Sequence, residues 1–149
     1  MRGVLRAIYL LSLTVWVGTL VFFSFAATPR IFAMLPRDEA ARAVAALFPV
    51  YYATGWIAGG LALAATLGLA ALARTFGPGA RWRAAILALM LAVSAYAGLV
   101  VLPEVRAARL AGDTAARDAG HRLSVLLNLA VILGGVGLVV LSSAERGKD

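Results

Sequence analysis

Charge divides this chain into segments. Four stretches carry none: Ala7–Pro29 with 23 residues, Ala43–Ala73 with 31, Ala84–Pro103 with 20 and Leu123–Ala144 with 22. A helix needs about 20 apolar residues to cross the hydrocarbon core of a bilayer, and within that core its backbone must satisfy its own hydrogen bonds. The windows therefore predict an all-α membrane protein, a four-transmembrane-helix bundle. It forms one integral domain over residues 1–149, with spans near 7–29, 50–73, 84–103 and 123–144. The second window exceeds one perpendicular crossing, so its first turns are expected in the interface or in a tilted extension. The first window is longer than the usual apolar core of a cleaved signal peptide and is taken as a retained span.

Hydrophobic residues make up 62% of the chain and charged residues 14%, far from the usual quarter charged of a soluble domain. A net charge of +7 could suggest nucleic acid. The arginines flank the apolar windows, however, where they serve as anchors at lipid headgroups, so the expected partner is the bilayer. The absence of Cys removes thiolate ligands, disulfides and a cysteine nucleophile, and a single His excludes a multi-histidine metal site within one chain. No phosphate-binding glycine loop or HExxH motif occurs. An Ala- and Arg-rich composition fits a GC-rich bacterial genome and hence the inner membrane. The side bearing both termini and the side bearing the other two loops carry seven Lys or Arg each, a tie under the positive-inside rule. Asp38, Glu39, Glu104, Asp113 and Asp118 on the second side tip the expectation towards cytoplasmic termini.

Those two loops are alike. Pro29 and Pro103, 74 residues apart, are each read as ending a span; an amphipathic segment, an acidic turn and an "AAR" helix start follow. The pattern predicts two helical hairpins of the same orientation, related by a pseudo-two-fold axis along the membrane normal.

Polar residues inside the apolar windows are the candidate site. On the fourth helix His121, Ser124 and Asn128 fall within about 60° of one another, and Gly135 and Ser142 continue that face. A carboxamide facing lipid would leave its donors and acceptors unpaired, so the stripe is expected to face the bundle interior. Ser12, Trp16, Thr19 and Phe23 form a matching face on the first helix, as do Tyr52, Gly55, Gly59 and Thr66 on the second and Ser94 and Gly98 on the third. The Gly55–Gly59 spacing is that of close helix–helix packing. His121 would guard the water-facing mouth, with Glu104 and Asp38 at its level. Its chemical options are an interfacial hydrogen bond, proton transfer, or axial ligation of a haem.

The stretch from Trp16 through Pro36, the "LFPVYY" of Leu47–Tyr52 and the His121–Ser124–Asn128 triplet resemble the transmembrane protein 205-like family, whose bacterial members are a membrane domain of unknown function. That resemblance implies a four-helix membrane protein and supplies no reaction. A vertebrate relative is associated with resistance to platinum drugs. Helix count and hairpin layout are also similar to copper-resistance D-type proteins and haem-binding membrane protoporphyrinogen oxidases, an analogy of fold alone.

The leading expectation is a non-enzymatic membrane protein that binds or moves a small ligand at the polar face. His121, Ser124, Asn128, Glu104, Trp16 and Tyr52 are the candidate contacts. A haem-binding redox protein ligated by His121 and a structural subunit are the alternatives. A homo-oligomer or a larger membrane complex is the expected setting.

Overall fold

The computed structural model describes residues 1–74 and 77–146. They form four helical rods: α1 (Arg2–Met34), α2 (Arg37–Leu72), α3 (Pro78–Leu110) and α4 (Thr114–Arg146). All four are long and apolar enough to cross a membrane. At 1.5 Å per residue, the 33 and 36 residues of α1 and α2 span roughly 50 Å, well beyond a core of about 30 Å. The rods outrun the charge-free windows because charge does not break a helix, and the Ala-rich flanks such as Ala40–Leu47 favour one.

The breaks between rods have local causes. Pro36 forces the residue before it out of the helical region, and Leu35 is extended at φ −120°, ψ 150°. Asp38 and Glu39 then sit in the first turn of α2, where acids complement the helix dipole. Between α3 and α4, Gly112 takes the left-handed φ of +73°, and the Asp113 carboxylate accepts a hydrogen bond from the Ala116 amide at 2.9 Å, capping α4. The Gly- and Pro-containing stretch Phe76–Ala80, whose composition predicts a tight turn, lies partly outside the described residues, and Lys148 lies wholly outside them.

Pro29 and Pro103 do not end their helices. Each lies inside a continuous rod, just after a five-residue π-helical segment: Phe23–Ala27 before Thr28–Pro29, and Ala97–Val101 before Leu102–Pro103. Proline removes one donor and crowds the preceding turn, and the widened π segment accommodates it while the helix continues. In lipid, a broken helix would have left backbone groups unpaired. Pro49 is accommodated differently within α2. It cannot donate to the carbonyl four residues back, that of Ala45, and the Arg106 guanidinium from α3 donates to that oxygen at 3.2 Å.

The rods pack in ring order, α1 on α2, α2 on α3, α3 on α4 and α4 on α1. Polar contacts mark their levels. Arg2 reaches the Leu72 carbonyl, Tyr9 meets Ser142, and at the far end Arg109 pairs with Asp38. Neighbouring rods thus run antiparallel. Trp16, Leu13, Leu87, Leu138 and Val101 fill the centre, while Leu11, Phe25, Ile57, Leu89 and Leu133 point outwards. An apolar exterior over a packed apolar interior suits a lipid surround.

Trp16 sets the α1–α2 spacing. Its indole lies over Gly55 and Gly59: a Cβ on Gly55 would come 2.8 Å from the indole nitrogen, and one on Gly59 2.5 Å from the ring. The glycine pair, expected to bring two backbones together, instead forms the groove that receives a tryptophan.

Candidate functional site

Midway along the bundle three polar side chains from three rods meet. Tyr51 on α2 donates its hydroxyl proton to the Asn128 carboxamide oxygen at 2.5 Å, and the Asn128 amide donates to Ser24 Oγ at 2.8 Å. Ser24 belongs to the first π segment. Asn128 thereby links α1, α2 and α4, and both ends of its carboxamide are used. Aromatic rings surround the contact. Phe23 lies 4.7 Å from Tyr51 between centroids, and Tyr52 stands nearly perpendicular to Tyr51 at 5.1 Å. Tyr52 and Trp56 in turn rest on Gly98 of the second π segment, where a Cβ would fall 2.9 Å from the Tyr52 ring. Only a glycine admits that approach.

Beside the contact is a crevice of about 20 Å³ lined by Tyr51, Tyr52, Ser94, Ala97 and Asn128 together with aliphatic side chains. That is room for about one water molecule. Its polar groups are hydroxyls and a carboxamide, and no charged side chain lines it among the described residues. An ion would find no counter-charge there, whereas an uncharged molecule would find donors and acceptors. The indole N–H groups of Trp16 and Trp56 are buried without hydrogen-bond partners among the described residues.

The starts of the π segments and of α2 and α4 are similarly spaced along the chain. The two π segments start at residues 23 and 97, a separation of 97 − 23 = 74. Rods α2 and α4 start at 37 and 114, a separation of 114 − 37 = 77. Tyr51 and Asn128, the hydrogen-bonded pair, are also 77 apart and so occupy corresponding positions on corresponding rods.

A family model described as a domain of unknown function, DUF4149, matches residues 11–114. The chain belongs to the DUF4149 family. No curated protein and no solved structure matches it. The DUF4149 match takes in Trp16, both π segments with their prolines, and Ser24 and Tyr51. It stops at the start of α4, so His121, Ser124 and Asn128 lie beyond it.

The other residues singled out from sequence are spread more widely. Ser124 is half-buried, one turn from Asn128, and makes no side-chain hydrogen bond among the described residues. Tyr52 lines the crevice, and Trp16 is buried beyond it against α2. His121 and Glu104 are both exposed, and no ion pair joins them among the described residues. Asp38 pairs instead with Arg109 at 3.3 Å. His121 lines neither the crevice nor the larger cleft at the other end of the bundle. It offers one nitrogen on an open surface, and no group of three His, Cys, Asp or Glu side chains converges among the described residues.

Two members of the polar contact escape a reading of helical faces. Ser24 follows Phe23 at the start of a π segment, and Tyr51 sits beside the Tyr52 that the face pattern selected. The signal that could have found Ser24 is the proline five residues later, recurring after 74 residues at Pro103.

Proposed function

We propose that this DUF4149 protein binds or moves a small uncharged hydrogen-bonding molecule at the face made by Ser24, Tyr51, Tyr52, Ser94 and Asn128. The observation that carries this is the convergence of neutral polar groups from three rods beside a crevice, at the level of two π segments, inside an otherwise apolar bundle. At rest the crevice holds no more than a water. Admitting a larger molecule requires exchanging the two hydrogen bonds of Asn128 for bonds to the ligand, and each such interhelical bond in lipid contributes only about 0.6 kcal/mol on average. The π segments supply hinges close to that face.

In this reading the rods form two hairpins, α1–α2 and α3–α4, related by a pseudo-two-fold axis, and the 74- and 77-residue separations support it. The resemblance to the transmembrane protein 205-like family fits the same picture. The setting is the inner membrane of a bacterium, with both termini in the cytoplasm.

The test is a titration of intrinsic tyrosine and tryptophan emission of the full chain in lipid nanodiscs, with acetamide, formamide and glycerol as probes. A saturable change with at least one probe, lost in Asn128→Leu, supports the proposal. No saturable change, or one indifferent to Asn128→Leu, contradicts it. A second reading, a structural membrane subunit, is favoured by the use of both the oxygen and the nitrogen of the Asn128 carboxamide to join three rods. It would leave Asn128→Leu altered in stability alone.

A further inference from the structure

At the end of the bundle that carries the N-terminus, the last turns of α2 lie beside the first turns of α3. A cleft of about 270 Å³ opens between them, with Tyr9 of α1 also in its wall. Leu69, Ala70, Ala73 and Ala80 make its walls largely aliphatic, Thr66 lies one turn deeper along α2, and Arg83 of α3 is part of the lining. The volume falls just below the roughly 300–1,000 Å³ of sites that enclose a whole small molecule. It suits one apolar branch of a larger molecule whose remainder stays outside.

Basic residues predominate at this end of the bundle. The rods that line the cleft bring Arg2, Arg6, Arg74, Arg81 and Arg83 to this end, and no acidic residue occurs in residues 1–37 or 40–103. Gly77, also in the lining, precedes the first turn of α3, which has no side-chain cap. The positive end of a 33-residue rod therefore adds to the arginines. The apolar walls exclude a bare phosphate as the whole occupant, and the arginines disfavour a zwitterion relative to an anion. The position, at one end of four membrane-length rods, is where headgroups meet acyl chains.

We propose that this cleft is a binding site for one anionic phospholipid. An acyl chain lies against Leu69, Ala70, Ala73 and Ala80, and the phosphate is held on the Arg83 side. The site is separate from the polar contact of Asn128 and does not depend on its function.

Native mass spectrometry of the purified full chain tests this, using equal amounts of phosphatidylglycerol and phosphatidylcholine with the same acyl chains. One phosphatidylglycerol should be retained per chain, about fivefold or more in preference to phosphatidylcholine. Arg83→Gln should bring the two lipids to parity. Ala70→Phe, which fills the cleft, should remove retention. Ala73→Phe makes the same test from an exposed rim position, where folding is not at stake. Arg117→Gln, at the opposite end, should leave retention as it is. Equal retention of both lipids by the wild type, or unchanged retention in Ala73→Phe, overturns the proposal. Displacement of the lipid by millimolar inorganic phosphate would reassign the site to a free anion and also overturn it.

Discussion

Adding one methyl group at adjacent positions of α2 should have opposite effects. In Gly59→Ala the new Cβ would lie 2.5 and 2.8 Å from ring carbons of Trp16 and 2.7 Å from a methyl of Leu91. The Leu91 methyl can rotate away. The indole cannot, because it is rigid and fully buried among core side chains that include Leu13 and Leu87. Relief then needs a shift of α1 against α2, and overpacking of this kind costs about 1–3 kcal/mol. Replacing glycine by alanine within a helix returns about 0.5–1 kcal/mol. The net expectation for Gly59→Ala is a loss of up to about 2.5 kcal/mol, from the difference of those ranges. At Gly60 a Cβ meets nothing within 4 Å, so Gly60→Ala keeps the helix gain alone and should stabilise. Reversible unfolding in mixed micelles, followed by circular dichroism, measures both. Trp16→Phe should recover part of the Gly59→Ala loss, since the ring portion nearest the new methyl is gone, a coupling that a double-mutant cycle reads directly. Equal effects of the two alanines, or additivity with Trp16→Phe, would refute the idea that the glycine groove is shaped by the indole.

Three further outcomes follow from named contacts. Arg106→Gln should cost about 0.5–1.5 kcal/mol by leaving the Ala45 carbonyl without its donor, and the cost should shrink in a Pro49→Ala background, where the helix supplies its own N–H; unfolding of the four variants checks it. Asn128→Leu should lower stability by about 1–2 kcal/mol through the loss of two interhelical hydrogen bonds, while the chain still inserts and folds. Arg109→Gln should change stability by no more than about 0.5 kcal/mol, because its pairing with Asp38 is exposed on both sides, and the same unfolding measurement at low and high salt should agree.

The four rods were legible because hydrocarbon imposes a length on any apolar helix, and charge marks where each window stops. Asn128 was legible as a carboxamide among aliphatic neighbours. The helix break expected at Pro29 and Pro103 came from treating proline as it acts in water, where a broken helix is resolvated. In these rods the chain widens into a π turn and continues. That extra residue also shifts the phase of the helix by about 100°, so faces counted from the start of α1 no longer hold at Ser24. The Gly55–Gly59 spacing announced a groove without saying what would fill it. The Arg106 contact with Ala45 spans 61 residues and depends on which rods are neighbours, which periodicity within one helix does not report.

The most direct measurement of the proposed activity is solute entry into proteoliposomes, followed by light scattering after an osmotic step. The full chain, Asn128→Leu and empty vesicles would be compared with formamide, acetamide and glycerol, and with potassium chloride as the charged control. The expected result is entry of at least one uncharged solute faster than into empty vesicles, abolished in a folded Asn128→Leu protein, with no entry of the salt. Rates equal to those of empty vesicles for every solute, or a rate that Asn128→Leu leaves intact, would contradict transport at the Ser24–Tyr51–Asn128 face.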